Sequence, residues 1–123
     1  MKRNVDLLQK VMQHIIDHPE QHEQMVFISD CGTAACFAGW AGLFSGMTAK
    51  QVDSAYMWHQ GANLLGLTKD EAHALFDSDN SRPMLELMVK DLVNGDELHS
   101  PGYYYMTVSG FRAPSESKRN EPC

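Results

Sequence analysis

The feature that most constrains this chain is an uncharged run near its first third. Residues Cys31-Gly32-Thr33-Ala34-Ala35-Cys36-Phe37-Ala38-Gly39-Trp40-Ala41-Gly42-Leu43-Phe44-Ser45-Gly46 carry no charge, and the next charged residue is Lys50. Cys36 or Phe37, Trp40, and Leu43 or Phe44 recur at three- and four-residue spacing, which stacks them on one face of a helix. Ala34, Ala35, Ala38, Gly39, Ala41 and Gly42 fill the other face. Each glycine costs about 1 kcal/mol of helix propensity against Ala. That cost has a purpose where another backbone must approach closely. The run therefore predicts a central helix buried on every side, capped by Asp30 or Thr33, with Cys36, Phe37, Gly39, Trp40 and Phe44 in the core. It is shorter than the about 20 apolar residues that span a bilayer, so no membrane partner is expected.

A chain of 123 residues fits one domain. The expected division is a globular helical domain over 1–112 and a flexible polar tail over 113–123. The net charge of −6 argues against a general phosphate-binding surface, and no direct nucleic-acid binding is expected. Three cysteines, two of them five residues apart, do not suit a secreted disulfide scaffold. Asn4, Asp6, Gln9 and Lys10 interrupt what would be the apolar part of a signal peptide. These features place the protein in a reducing cytoplasm.

Local punctuation orders the rest. Val5, Leu8, Met12 and Ile15 form a helical stripe behind an Asn4 cap, ending near His18 because Pro19 follows. Thr48 with Gln51, and Thr68 with Glu71, are two capping boxes twenty residues apart. They predict two short helices with another segment, Met57 to Leu65, between them. Pro83 suits the first turn of a further helix that Asn94-Gly95 stops. Met25-Val26-Phe27-Ile28 and Tyr103-Tyr104-Tyr105-Met106-Thr107-Val108 are rich in strand formers. The fold expected is mainly α: five or six short helices around the central one, with a minor two-stranded β element from those two runs.

Chemistry-bearing residues assemble poorly. Cys31 or Cys36 at a helix start would have a lowered thiol pKa. A nucleophile reading would use Cys31 with a His base, His59 first, with His73 and His99 as further candidates. The papain and NlpC/P60 peptidases place a nucleophile at such a helix start, but no partner motif follows here. His14, His18 and His22 are spaced by four, yet Pro19 breaks their helix, and a tight metal site needs three or four ligands. Asp77, Asp79 and Ser81 imitate the opening of a calcium loop, but Arg82 and Met88 stand where it needs Gly and Glu. A helix-turn-helix over 48–76 would aim Asp70 and Glu71 at phosphates, which disfavours DNA. No metal or cofactor is expected. Tyr103, Tyr105, Phe111 and Arg112 form the candidate partner-binding patch, because Tyr and Arg carry energy at interfaces.

The run C-G-T-x-x-C-x-A-G-W-A over Cys31 to Ala41, behind a helix ending in His18-Pro19, resembles a motif in small proteins of bacteriophages and their bacterial hosts. The Leu65-Gly66-Leu67-Thr68 segment and Leu75-Phe76 extend the resemblance to roughly residues 4–80. It implies a phage or mobile-element setting and no particular activity. The leading expectation is a small acidic non-enzymatic protein-binding module that modulates a host protein, in counter-defence or host takeover, inside the host cytoplasm. Two alternatives stand beside it. One is a hydrolase with Cys31 as nucleophile. The other is a structural subunit that self-associates, as a homodimer for instance, through the Gly/Ala face.

Overall fold

In the computed structural model, residues 2–29, 32–54 and 56–109 are described. Helix α1 (Val5–Asp17) starts where the Asn4 side chain accepts the Leu7 N–H. The same residue ties the start of α1 to a later helix, α4 (Met57–Leu65): its N–H and its amide donate to the Leu65 and Leu64 carbonyls at 2.8 and 3.1 Å. Gly66 ends α4 in the left-handed conformation, at φ +70°. A Cβ there would overlap the Lys2 carbonyl oxygen. Only glycine meets both demands.

A 3₁₀ turn (Pro19–Gln21) follows α1. The central helix, α2 (Phe37–Phe44), is half the length expected. The backbone before it is spent on closing a loop. Ala35 N–H donates to Gln21 O, Cys36 N–H to Val26 O, and Ser29 N–H to Ala34 O, all at 3.0 Å or less. Gly32 is left-handed at φ +76°. Helical bonds cannot form while those donors are used elsewhere. Cys36, not Thr33, is the N-cap: its Sγ accepts the Gly39 N–H at 3.4 Å. Asp30 lies outside the described residues.

The short α3 (Ala49–Val52) and α5 (Lys69–Leu75) begin at Thr48 and Thr68, and both capping boxes are closed on each side. Helix α6 (Arg82–Val93) is capped by Ser81 with Pro83 in its first turn. The last described element is a helix, α7 (Pro101–Ser109).

This corrects the expected β element. Among the described residues there is no strand, and His22 and Ala35 share one isolated bridge. Residues 25–28 bend around the start of α2. Their expected partner, 103–108, is helical. Thr107 donates its hydroxyl to the Tyr103 carbonyl within the helix, and Tyr104 packs against α6. Strand propensity is a weak preference that tertiary packing overrides.

Helix α2 packs on α4 and α1, α1 on α6, and α6 on α7. Leu8, Val11 and Ile15 of α1 meet Phe37, Leu65, Leu75, Leu85, Met88, Leu92 and Tyr104 in one core. Ile28, Ala35, Val52 and Met57 make a second, smaller cluster, and Trp40 touches both. The Gly/Ala face of α2 is filled by this same chain. A Cβ on Gly39 would overlap the Phe27 carbonyl oxygen, and one on Gly42 would press on the side chains of Met57, Met47 and Val52. Ala34, Ala35, Ala38, Gly39, Ala41 and Gly42 are all buried within this chain. Cys36, Phe37 and Gly39 are buried, whereas Trp40 and Phe44 are half-buried at the core's edge. The sequence placed all five inside.

Candidate interaction surface

The thiols bear the most reactive chemistry in the sequence. Cys36 is buried, and burial pushes its thiol up to about 11, against the opposing hydrogen bonds from the backbone. A nucleophile must be exposed and ionised near neutral pH, and Cys36 is neither. Its sulfur caps α2. Cys31 lies outside the described residues, as do Phe111, Arg112 and the 113–123 tail. His59, its suggested base, is exposed on α4 with its ring edge-on to Trp58.

The three histidines spaced by four do not converge. His14 bonds Gln21 Oε1 at 2.8 Å and packs its ring 4.2 Å from that of Trp40. His18 sits beside it at the helix end, 4.9 Å between ring centroids. His22 turns inward to Gln24 Oε1 at 2.8 Å. Among the described residues, no group of three His, Cys, Asp or Glu could hold a metal ion. The acidic turn at 77–81 is occupied locally: Asp77 Oδ1 accepts the Asp79 N–H, and the buried Asn80 amide donates to the Ala74 and Leu75 carbonyls that end α5.

Gln24 belongs to no motif in the sequence. Its amide donates to the Leu75 and Asp77 carbonyls at 3.1 Å, while its oxygen faces His22 and the Phe37 N–H. One buried side chain thus joins the loop before α2, the start of α2 and the end of α5. Burial lowers the His22 pKa, the Gln24 hydrogen bond opposes that, and the Arg82 charge adds to it.

Two surface features lie at the other end of the chain. The first is a cleft of about 660 Å³ between α5 and the connector before α7. Asp70, Glu71, His73 and Asp77 form one wall, and Glu97, Leu98 and His99 the other. Burial raises the Glu71 carboxyl, but the Arg3 guanidinium at 2.6 Å and the Thr68 N–H outweigh it and hold the group below its ordinary value. Nothing in the sequence signals this cleft, because its walls, 68–77 and 97–100, meet only in the folded chain.

The second is the outer face of α7. Tyr104 points inward, 1 % exposed, and donates its hydroxyl to Asp91 Oδ2 at 2.6 Å while accepting the His99 N–H. With α7 anchored this way, its neighbours must face out. At 100° per residue, Met106 falls between Tyr103 and Tyr105 on the solvent arc. They are 68, 49 and 59 % exposed. The His99 ring stacks on Tyr103 at 4.0 Å and so connects this face to the cleft. The sequence selected Tyr103 and Tyr105, but as one side of a strand; on a helix they flank Met106, which it did not select. Met25 and Tyr56, each 70 % exposed, are further apolar surface that the periodicity did not mark.

No helix among the described residues is long and apolar enough to cross a membrane. Comparison of the chain with family models, curated proteins and solved structures finds no match.

Proposed function

We propose that the chain is a non-enzymatic protein-binding module whose contact surface is the outer face of α7. The observation that carries this reading is the solvent arc of Tyr103, Met106 and Tyr105 on a helix pinned from inside by Tyr104. Two tyrosines and a methionine are side chains that interfaces favour: large, partly apolar and, for Met, adaptable. Burying them in a partner returns roughly 1.5–3 kcal/mol for each fully covered side chain. A pinned helix also loses little entropy when it docks. Modulation of a host protein by a phage-encoded chain is the setting we attach to this reading. Its support is the sequence resemblance alone.

Tyr103 and Tyr105 are exposed, and the one packing contact Tyr103→Ala gives up is with its own neighbours His99 and Tyr104, so both variants should fold, with at most a small drop in melting temperature for Tyr103→Ala. With the full chain as bait in bacterial extract, the reading expects a partner that is retained by the parent and by Tyr56→Ala, and lost from the α7 double variant. A partner retained equally by all three would move the contact surface off α7.

A further inference from the structure

We infer that the α7 face and the adjoining cleft together accept a basic protein segment, one presenting Lys or Arg a few residues from an apolar side chain. The inference rests on the binding-module reading and adds the chemistry of the partner. Asp70 and Asp77 on one wall and Glu97 on the other share the cleft, and among the described residues no Lys or Arg pairs with any of them. Glu71 is the member already held, by Arg3. None of the residues lining the cleft is Lys or Arg. Among the described residues the cleft is therefore net negative, on a chain whose net charge is −6. A concave site with walls of one sign concentrates ligands of the other.

The apolar parts fit the same occupant. Ala74 and Leu98 line the same cleft as the carboxylates, apolar surface of the kind on which the methylene stem of a Lys or Arg rests while its head reaches the charges. Tyr103, stacked on His99 at the cleft's edge, offers a ring face to a cation. Beyond it Met106 and Tyr105 are exposed for the apolar neighbour. An acidic segment would bring like charges to three carboxylates that have no basic partner among the described residues, and a nucleic acid would bring phosphates to them.

The test is to pan a random twelve-residue peptide library against the full chain at low salt. Selected peptides are then titrated by fluorescence anisotropy against the parent chain, the Tyr103→Ala/Tyr105→Ala variant and Glu97→Lys. The expected result is enrichment of Lys or Arg near an aromatic or aliphatic residue. The tyrosine variant should bind about ten-fold or more weakly. Glu97→Lys should weaken binding mainly through slower association, as rim charges do, and raising the salt should do the same to the parent. Selected peptides without basic enrichment, or basic peptides whose affinity ignores both variants, overturn the inference and leave the binding-module reading standing. A library from which nothing is selected overturns both. Because all substituted residues are exposed, a cooperative melting curve close to the parent's separates loss of contact from loss of fold.

Discussion

Single side chains decide two properties of this protein that can be measured without knowing its partner. Cys36 is buried, its thiol is raised to about 11, and its sulfur is committed to the Gly39 N–H. It should resist alkylation at pH 8 in the native chain and react at an ordinary rate once denaturant unfolds it, with mass spectrometry following the modified residue. Cys36→Ala removes the cap and should cost about 1 kcal/mol. Cys36→Ser keeps an acceptor in place and should cost less. His22 gives a pH dependence. Its folded pKa lies below the ordinary 6.5 because burial disfavours the imidazolium. The unfolded chain then binds the extra proton first, so stability is full above about pH 6.5 and is lost as pH falls through the folded value. Urea unfolding from pH 7.5 to 5 should show that loss, and His22→Asn should flatten it. An unchanged slope in the variant would assign the loss to another group.

At the scale of elements, the two glycines of α2 separate a backbone contact from a side-chain contact. Gly39 faces the Phe27 carbonyl, which is held by a loop tied at several points. Gly42 faces side-chain atoms, the Met57 methyl, the Met47 sulfur and a Val52 methyl, rather than backbone. Gly39→Ala should therefore lose about 3 kcal/mol or more by overpacking, or fail to fold, and Gly42→Ala should lose less, because only side chains must give way. Equal losses in thermal melts would contradict that geometry. Tyr104→Phe should cost about 1.5–3 kcal/mol, since its hydroxyl bonds a carboxylate inside the α6–α7 contact. The elements also show what the sequence could reveal. Helix starts set by local side chains were legible: Asn4, Thr48, Thr68 and Pro83 each act within one turn. The start of α2 was not, because distant carbonyls at Gln21 and Val26 claim its donors. Nor was α7, whose conformation follows from Asp91 receiving Tyr104 across α6. The cleft was illegible for the same reason: α5 and the connector at 97–99 are neighbours only in the folded chain.

The whole molecule is closed by its first residues. Arg3 sends one guanidinium nitrogen to the Leu92 carbonyl at the end of α6, at 3.0 Å, and the other to Glu71 in the first turn of α5, at 2.6 Å. Lys2 packs its backbone against Gly66 at the end of α4, and Asn4 bonds the same turn. Four helices, α1, α4, α5 and α6, thus meet at one corner through three consecutive residues. The Arg3–Glu71 pair is mostly shielded from solvent, so it is screened less than an exposed pair. Arg3→Gln should destabilise the chain by about 1–3 kcal/mol, the range for a charge-assisted hydrogen bond lost from a part-buried site. Arg3→Lys should recover only part of that, because an ammonium cannot hold two acceptors in a fixed fork. The loss must also depend on pH. Glu71 is held below its ordinary carboxylate value by Arg3 and the Thr68 N–H, in spite of the opposing effect of burial. Its contribution is complete above about pH 4.5 and disappears as pH falls through the folded value. Urea titrations of parent and Arg3→Gln at pH 7 and pH 3 should accordingly show a gap that narrows at the lower pH without closing, since the bond to the Leu92 carbonyl does not titrate. A gap of the same size at both pH values would mean that the carbonyl bond alone fastens this corner, and that Glu71 is present there only to cap α5.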